Sequence, residues 1–241
     1  MSTRPIRLLA VDDVAMNLTM LTELLAAAGF VVDTALTAGA GLALASKNYY
    51  ALLLLDIQLP DFNGDVLLQR LRADSAALSA ASPAFALTGE LSATLSANLL
   101  QSGFAQVFAK PWSASVIVAA IQRATGAVKI AQAGAEQNTE SDALFDRTQA
   151  LKTTGGDEKL MLKLRGMLVA ELKSKGAALR VAFEQNDLLA VSELRHKLAG
   201  AAGFTGATSL TEALAQLKSE PSDAAITKVE AAVSAIIAAS N

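Results

Sequence analysis

A chain of 241 residues has room for one large domain or two of ordinary size. Its formal net charge of −3 gives no general attraction to nucleic acid or anionic lipid, and its 52% hydrophobic content comes largely from alanine. The absence of cysteine excludes disulfides and thiolate metal sites and suits a reducing compartment. The longest uncharged stretch, residues 91–109, is broken by Asn98, Gln101, Gly103 and several serines, which makes a poor membrane span. Residues 1–5 do not resemble a signal peptide. The expectation is a cytoplasmic protein with no membrane and no nucleic-acid partner.

Apolar runs of four to eight residues mark strands buried on both faces, which belong to parallel sheets covered by helices. Such strands are predicted at 6–11, 30–35, 50–55, 84–88 and 104–108, alternating with amphipathic helices near 15–28, 38–46, 65–72, 92–101 and 113–123. Gly29 stands where a helix C-terminus needs a left-handed residue. Strict alternation implies right-handed crossovers, hence an α/β domain with a doubly wound five-stranded parallel sheet. Strand character stops near residue 124. Residues 125–141, rich in Ala, Gly and Gln, read as a linker, with 127–133 also able to prolong the preceding helix. Residues 142–241 show only helical periodicity, with helices near 144–152, 157–184, 188–203, 209–219 and 222–239. An antiparallel all-α bundle of about four main helices is the natural packing. The expected domains are therefore 1–124 and 142–241, joined by the linker.

The first apolar run closes on Asp12 and Asp13, and the leucines at 52 to 55 close on Asp56. Ligands of open parallel sheets bind beyond the strands' carboxyl ends. Three carboxylates gathered there repel one another unless a positive charge sits among them, and an all-oxygen set suits Mg²⁺. Thr88 ends the fourth strand and Lys110 follows the fifth, so both fall at the same edge. The set suits phosphoryl transfer, with Asp56 as nucleophile forming an acyl phosphate. Asp13 and Asp56 would hold Mg²⁺, with Asp12 assisting through water. Lys110 and the Thr88 hydroxyl would each serve a phosphoryl oxygen. Pro111 is a candidate for a cis bond that turns Lys110 inward, and Gly89 leaves the approach to phosphorus open. Singly, Asp12 or Asp13 reads as a helix cap, Thr88 as a strand residue and Lys110 as a solvated cation; it is their convergence that points to chemistry.

Residues 1–124 resemble a two-component receiver domain, which is flavodoxin-like. The resemblance rests on Asp12-Asp13, on the segment Asp56-Ile-Gln-Leu-Pro-Asp-Phe-Asn-Gly64, on Leu87-Thr88-Gly89 and on Lys110-Pro111. It implies that the backbone carbonyl of Gln58 also binds the metal, and that the side chains of Gln58 and Glu90 set how fast water attacks the phosphorylated state. The family often has an aromatic residue three positions before the lysine, where this chain has Val107. A hydrolase of the haloacid dehalogenase type would place a second acid two residues after its nucleophile, and Gln58 stands there instead.

The second domain turns on the only histidine, His196. A lone histidine on a helix is usually a surface or packing residue. At about 100° per residue, however, Ser192, Ala199, Gly200 and Gly203 share or border its face, while Leu194 and Leu198 point away. Glycine in a helix costs about 1 kcal/mol relative to alanine, so close approach by a partner is a reason to keep two of them, with Gly203 alternatively a helix stop.

The segment resembles the active helix of a histidine phosphotransfer domain, whose imidazole carries a phosphoryl group between receiver aspartates. Ala199 stands where that family often has lysine, leaving Lys197 and Arg195 as nearby cations. The two resemblances together imply a phosphorelay protein that accepts phosphate on Asp56 and exchanges it through His196 with the same or another receiver domain. No ATP-binding kinase domain is evident in the sequence, so a histidine kinase or other phosphodonor is the implied partner. The alternatives are a phosphorylation-regulated interaction module without transfer through His196, or the tail of a hybrid kinase; the initiating Met1 favours a free-standing protein.

Overall fold

The computed structural model describes residues 5–127 and 144–240. The chain forms two compact units, Met1–Gly134 and Ala135–Asn241.

In the first unit the strands are β1 (Arg7–Val11), β2 (Val31–Ala35), β3 (Leu52–Asp56), β4 (Ala84–Thr88) and β5 (Gln106–Ala109). They alternate with α1 (Ala15–Ala27), α2 (Ala38–Lys47), α3 (Gly64–Ala73), α4 (Ala93–Gln101) and α5 (Ala114–Thr125). All strand pairs are parallel, in the order β2-β1-β3-β4-β5. This is the doubly wound, flavodoxin-like order, whose crossover direction reverses between β1 and β3. The side chains of β3 and β4 are buried throughout, as continuous apolar runs require. Leu9, Val11, Leu53 and Leu55 pack with Leu67, Leu68 and Leu71 of α3 in the core of one sheet face.

The starts of β1, β2, β3 and β5 fall one to two residues later than expected, whereas β4 begins at Ala84 as expected; at β2, β3 and β5 the reasons are local. The Phe30 amide closes the end of α1 on the Leu25 carbonyl, and the Phe104 amide closes α4 on Leu99. The Tyr50 amide goes to the Ser79 hydroxyl rather than to the β-ladder. Gly29 has the left-handed conformation expected of it, with φ 88°. Helix α5 ends at Thr125 with Gly126, φ 68°, as its left-handed cap; residues 128–141 of the expected linker, and with them nearly all of the helical prolongation considered for 127–133, lie outside the described residues.

The second unit contains α6 (Arg147–Thr154), α7 (Glu158–Glu184), α8 (Leu188–Thr205), α9 (Thr208–Ser219) and α10 (Asp223–Ala238). Helices α7 to α10 pack in a closed cycle, α7 on α8, α8 on α9, α9 on α10 and α10 on α7, with α6 lying against α7 and α8. Asp146, Asp157 and Asp187 cap α6, α7 and α8 by accepting backbone N–H groups of their first turns. Helix α8 passes through Gly203 and ends two residues later; Gly206, φ 75°, is its left-handed cap. No described helix is long and apolar enough to cross a membrane.

Candidate functional site

The parallel sheet delivers four strand ends to one edge. β1 leads directly into Asp12 and Asp13, Asp56 closes β3, Thr88 closes β4 and Lys110 follows β5. Asp12 and Asp56 are fully buried and Asp13 half-buried. One carboxylate oxygen each of Asp13 and Asp56 lie within 4.8 Å of one another. The Lys110 ammonium reaches across, donating to Asp12 Oδ2 at 2.6 Å and Asp56 Oδ2 at 2.7 Å. The Lys110–Pro111 peptide is cis.

Burial opposes the charge on Lys110, but the two carboxylates outweigh it and hold its pKa above the usual lysine value. Asp12 is pushed up to about 6 by burial and by the neighbouring Asp56 charge, against the pull of Lys110. One ammonium thus faces two buried carboxylates, with a third beside them. An excess of negative charge set in oxygen donors fits a hard divalent cation.

The loop after β3 is held against the strand end. Gln58 is exposed, and its backbone N–H donates to Asp56 Oδ1 at 3.2 Å. Gly64 begins α3 so close that an added Cβ would lie 2.2 Å from the Asp56 carbonyl oxygen, which makes glycine obligatory there. Asp61 ties the same loop to α2, accepting from the amides of Ala38 at 2.9 Å and Gly39 at 2.8 Å.

Thr88 is buried at the same edge, but its hydroxyl donates to the Glu90 carbonyl at 2.8 Å. Turning toward the acidic cluster would require it to give up that bond. Gly89 and Glu90 are exposed beside it. Val107 is partly buried and packs against the core together with Leu95, so an aliphatic side chain fills the position where an aromatic was noted as usual.

In the helical unit His196 lies near the middle of α8, half-buried, with Ser192 exposed and Leu198 turned into the bundle at 1% exposure. Ala199 and Gly200 are half-buried on the following turn. Because α8 is continuous through this segment, Ser192, Ala199, Gly200 and Gly203 keep the helical spacing from His196 on which the sequence argument rests.

Two residues at this acidic edge are not individually legible as contributors in the sequence. Asp61 was read only as part of a motif, because its partners are 22 and 23 positions away in the chain. Asn17 is 1% exposed and donates to both oxygens of Asp12, at 3.0 and 3.1 Å. A signal for it existed: it is the polar residue in an otherwise apolar stripe with Met20, Leu21 and Leu24 at helical spacing.

The family model described as a response regulator receiver domain matches residues 8–122, and that described as an Hpt domain matches residues 163–239. Sensor protein GacS of Pseudomonas syringae pv. syringae is 29% identical over 219 residues, 88% of this chain and 24% of that protein. Aerobic respiration control sensor protein ArcB of Escherichia coli K12 is 30% identical over 226 residues, 89% of this chain and 28% of that protein. The chain thus spans about a quarter of the length of these curated relatives. Among solved structures, the receiver domain of sensor histidine kinase PA1611 from Pseudomonas aeruginosa PAO1, with a magnesium ion in its active site cleft, is 25% identical. It covers 51% of this chain and 99% of that one, with a TM-score of 0.47. With both family matches falling on the units that carry the acidic edge and His196, the chain joins a response regulator receiver domain to a histidine phosphotransfer (Hpt) domain.

Proposed function

We propose that this protein is a phosphorelay component: it accepts a phosphoryl group on Asp56 and exchanges it through His196 with its own or another receiver domain. The observation that carries the receiver half is the Lys110 ammonium spanning Asp12 and Asp56 at a buried strand edge. In this reading a carboxylate oxygen of Asp56 attacks phosphorus, the bond to the donor's imidazole nitrogen breaks, and an acyl phosphate forms. Lys110, with three donors and one fixed charge, transfers part of its interaction to a phosphoryl oxygen, and Thr88 turns its hydroxyl to another. Asp13, Asp56 and the Gln58 carbonyl would hold Mg²⁺, with Asp12 assisting through water; the ion when bound offsets the charge of the phosphoryl oxygens.

The Hpt half needs only a neutral imidazole nitrogen presented on an accessible helix, since catalysis resides in the receiver. His196 then carries the group as a phosphoramidate that a receiver aspartate can attack in turn. The boundaries 1–124, 125–141 and 142–241 belong to this reading, as does a cytoplasmic setting with a histidine kinase or other phosphodonor and further receivers as partners. The cysteine-free composition suits that compartment. Kinase activity is not part of the proposal.

The test is to incubate the chain with a radiolabelled phosphorylated kinase and MgCl₂, comparing wild type with Asp56→Asn and His196→Gln. Expected are an acyl phosphate lost in Asp56→Asn and an acid-labile phosphohistidine lost in His196→Gln. Label on Asp56 that never reaches His196, even when a second receiver is supplied, would rule out the relay. Failure of Asp56 to accept phosphate at all would overturn the whole reading.

A further inference from the structure

Asp12 is fully buried, and its carboxylate is almost saturated with donors. Oδ1 accepts from the Val14 amide at 2.9 Å and from Asn17 Nδ2 at 3.0 Å; Oδ2 accepts from Asn17 Nδ2 at 3.1 Å and from Lys110 Nζ at 2.6 Å. A single amide nitrogen bridging both oxygens fixes the plane of the carboxylate, which neither Val14 nor Lys110 does alone. Asn17 occupies a place in the buried stripe of α1 where Met20, Leu21 and Leu24 make apolar contacts. Its own Oδ1 is buried with no hydrogen-bond partner among the described residues. A buried amide that leaves its acceptor unsatisfied is a poor choice for packing.

The contact acquires a purpose when Lys110 moves. Lys110 also binds Asp56, and a phosphoryl group on Asp56 would compete for its donors. Asp12 would then lose its only cationic partner among these four contacts, while Asn17, anchored on α1, stays in place. We infer that Asn17 is a positioning residue that holds the Asp12 carboxylate in the orientation needed to serve the cation's water shell, independently of where Lys110 points. This deepens the Mg²⁺ reading above and rests on it. Hydrogen-bonding partners that orient metal-site groups are typically worth about 10- to 100-fold in metal affinity when removed.

The test is calorimetric titration of MgCl₂ into the full chain carrying Asn17→Leu, which keeps the size and removes the amide. The Kd for Mg²⁺ is expected to rise about tenfold, and the same substitution in an Asp12→Asn background to change Kd by less than about twofold. Asn17→Ser, whose hydroxyl is too short to bridge both oxygens, is expected to behave like Asn17→Leu and serves if the leucine variant does not fold. An unchanged Kd in the folded variants, or an equal loss in the Asp12→Asn background, overturns the inference. If wild type takes up no Mg²⁺, the inference falls with the metal reading. If wild type takes up Mg²⁺ with the expected Asn17 dependence while Asp56 never accepts phosphate, the inference stands and the relay falls.

Discussion

At the scale of single residues, the receiver edge is a charge imbalance held by one lysine. Removing one partner from a buried ion pair costs about 3 to 5 kcal/mol, because the remaining charge is left uncompensated. Lys110→Met is therefore expected to lower stability in metal-free buffer by about 3 kcal/mol, the lower end, since Asp12 already binds a proton more readily than an exposed aspartate. Urea unfolding with and without MgCl₂ checks this, and the added ion should recover part of the loss. Thr88→Val behaves differently. Among the described residues its hydroxyl bonds the backbone of Glu90, an exposed residue that water can serve instead. The expected stability change is within about 1 kcal/mol, whereas phosphoryl uptake on Asp56 should slow by about tenfold or more if the hydroxyl serves the transferring group. Stopped-time labelling separates the two effects. Asp12, Asp13, Asp56, Thr88 and Lys110 were each nameable from the sequence because each ends or follows an apolar strand. Asn17 is marked in the sequence only as a polar break in the apolar stripe of α1; its role beside Asp12 was not legible, because that network of contacts exists only after α1 packs on the sheet.

At the scale of elements, two glycines and one aspartate govern how the pieces meet. An alanine Cβ at Gly206 would lie 2.2 Å from the Asp146 carbonyl oxygen, at a backbone φ of 75°. That junction joins the end of α8 to the start of α6, where the Asp146 amide donates to the Gly206 carbonyl at 2.7 Å. Gly206→Ala is expected to cost about 1 to 3 kcal/mol, measured by thermal unfolding. Gly64 plays the matching part beside Asp56. Asp61 links the loop after β3 to the first turn of α2, and although burial works in the other direction, the amides of Gly39 and Ala38 hold its carboxyl below the usual aspartate range. A depressed folded pKa contributes stability that is present above the unfolded value of 3.8 and is lost as pH falls through the lower folded value. Asp61→Asn should thus cost about 0.5 to 1 kcal/mol at neutral pH, the low end for helix caps because the carboxylate is solvent-exposed. The difference from wild type should shrink below about pH 4, which urea midpoints across that range will reveal. Helix and strand cores were legible from periodicity alone. Three strand starts were not, since Phe30, Tyr50 and Phe104 give their amides to helix exits and a loop serine rather than to the ladder.

At the scale of the whole molecule, a receiver and an Hpt domain share one chain, and the proposed relay would use an aspartate of the first and a histidine of the second. If His196 exchanges with receivers other than its own, an Asp56→Asn chain should still gain phosphohistidine when mixed with an Asp56-phosphorylated His196→Gln chain. The initial rate should rise in proportion to the concentration of either variant; no labelled His196 in that mixture would confine exchange to a single chain. By itself the sequence determined the alternation of strand and helix, the change to an all-helical second half, and the residue types gathered at one sheet edge. Apolar periodicity and strand-end position are local properties, and they survive in a linear string. Only the tertiary structure decided that Lys110 bridges Asp12 and Asp56, that Asn17 braces Asp12 from α1, and that Gly64 must touch the Asp56 backbone. Those contacts join segments brought together by packing, and their geometry is fixed by side-chain direction and backbone approach that no spacing rule encodes.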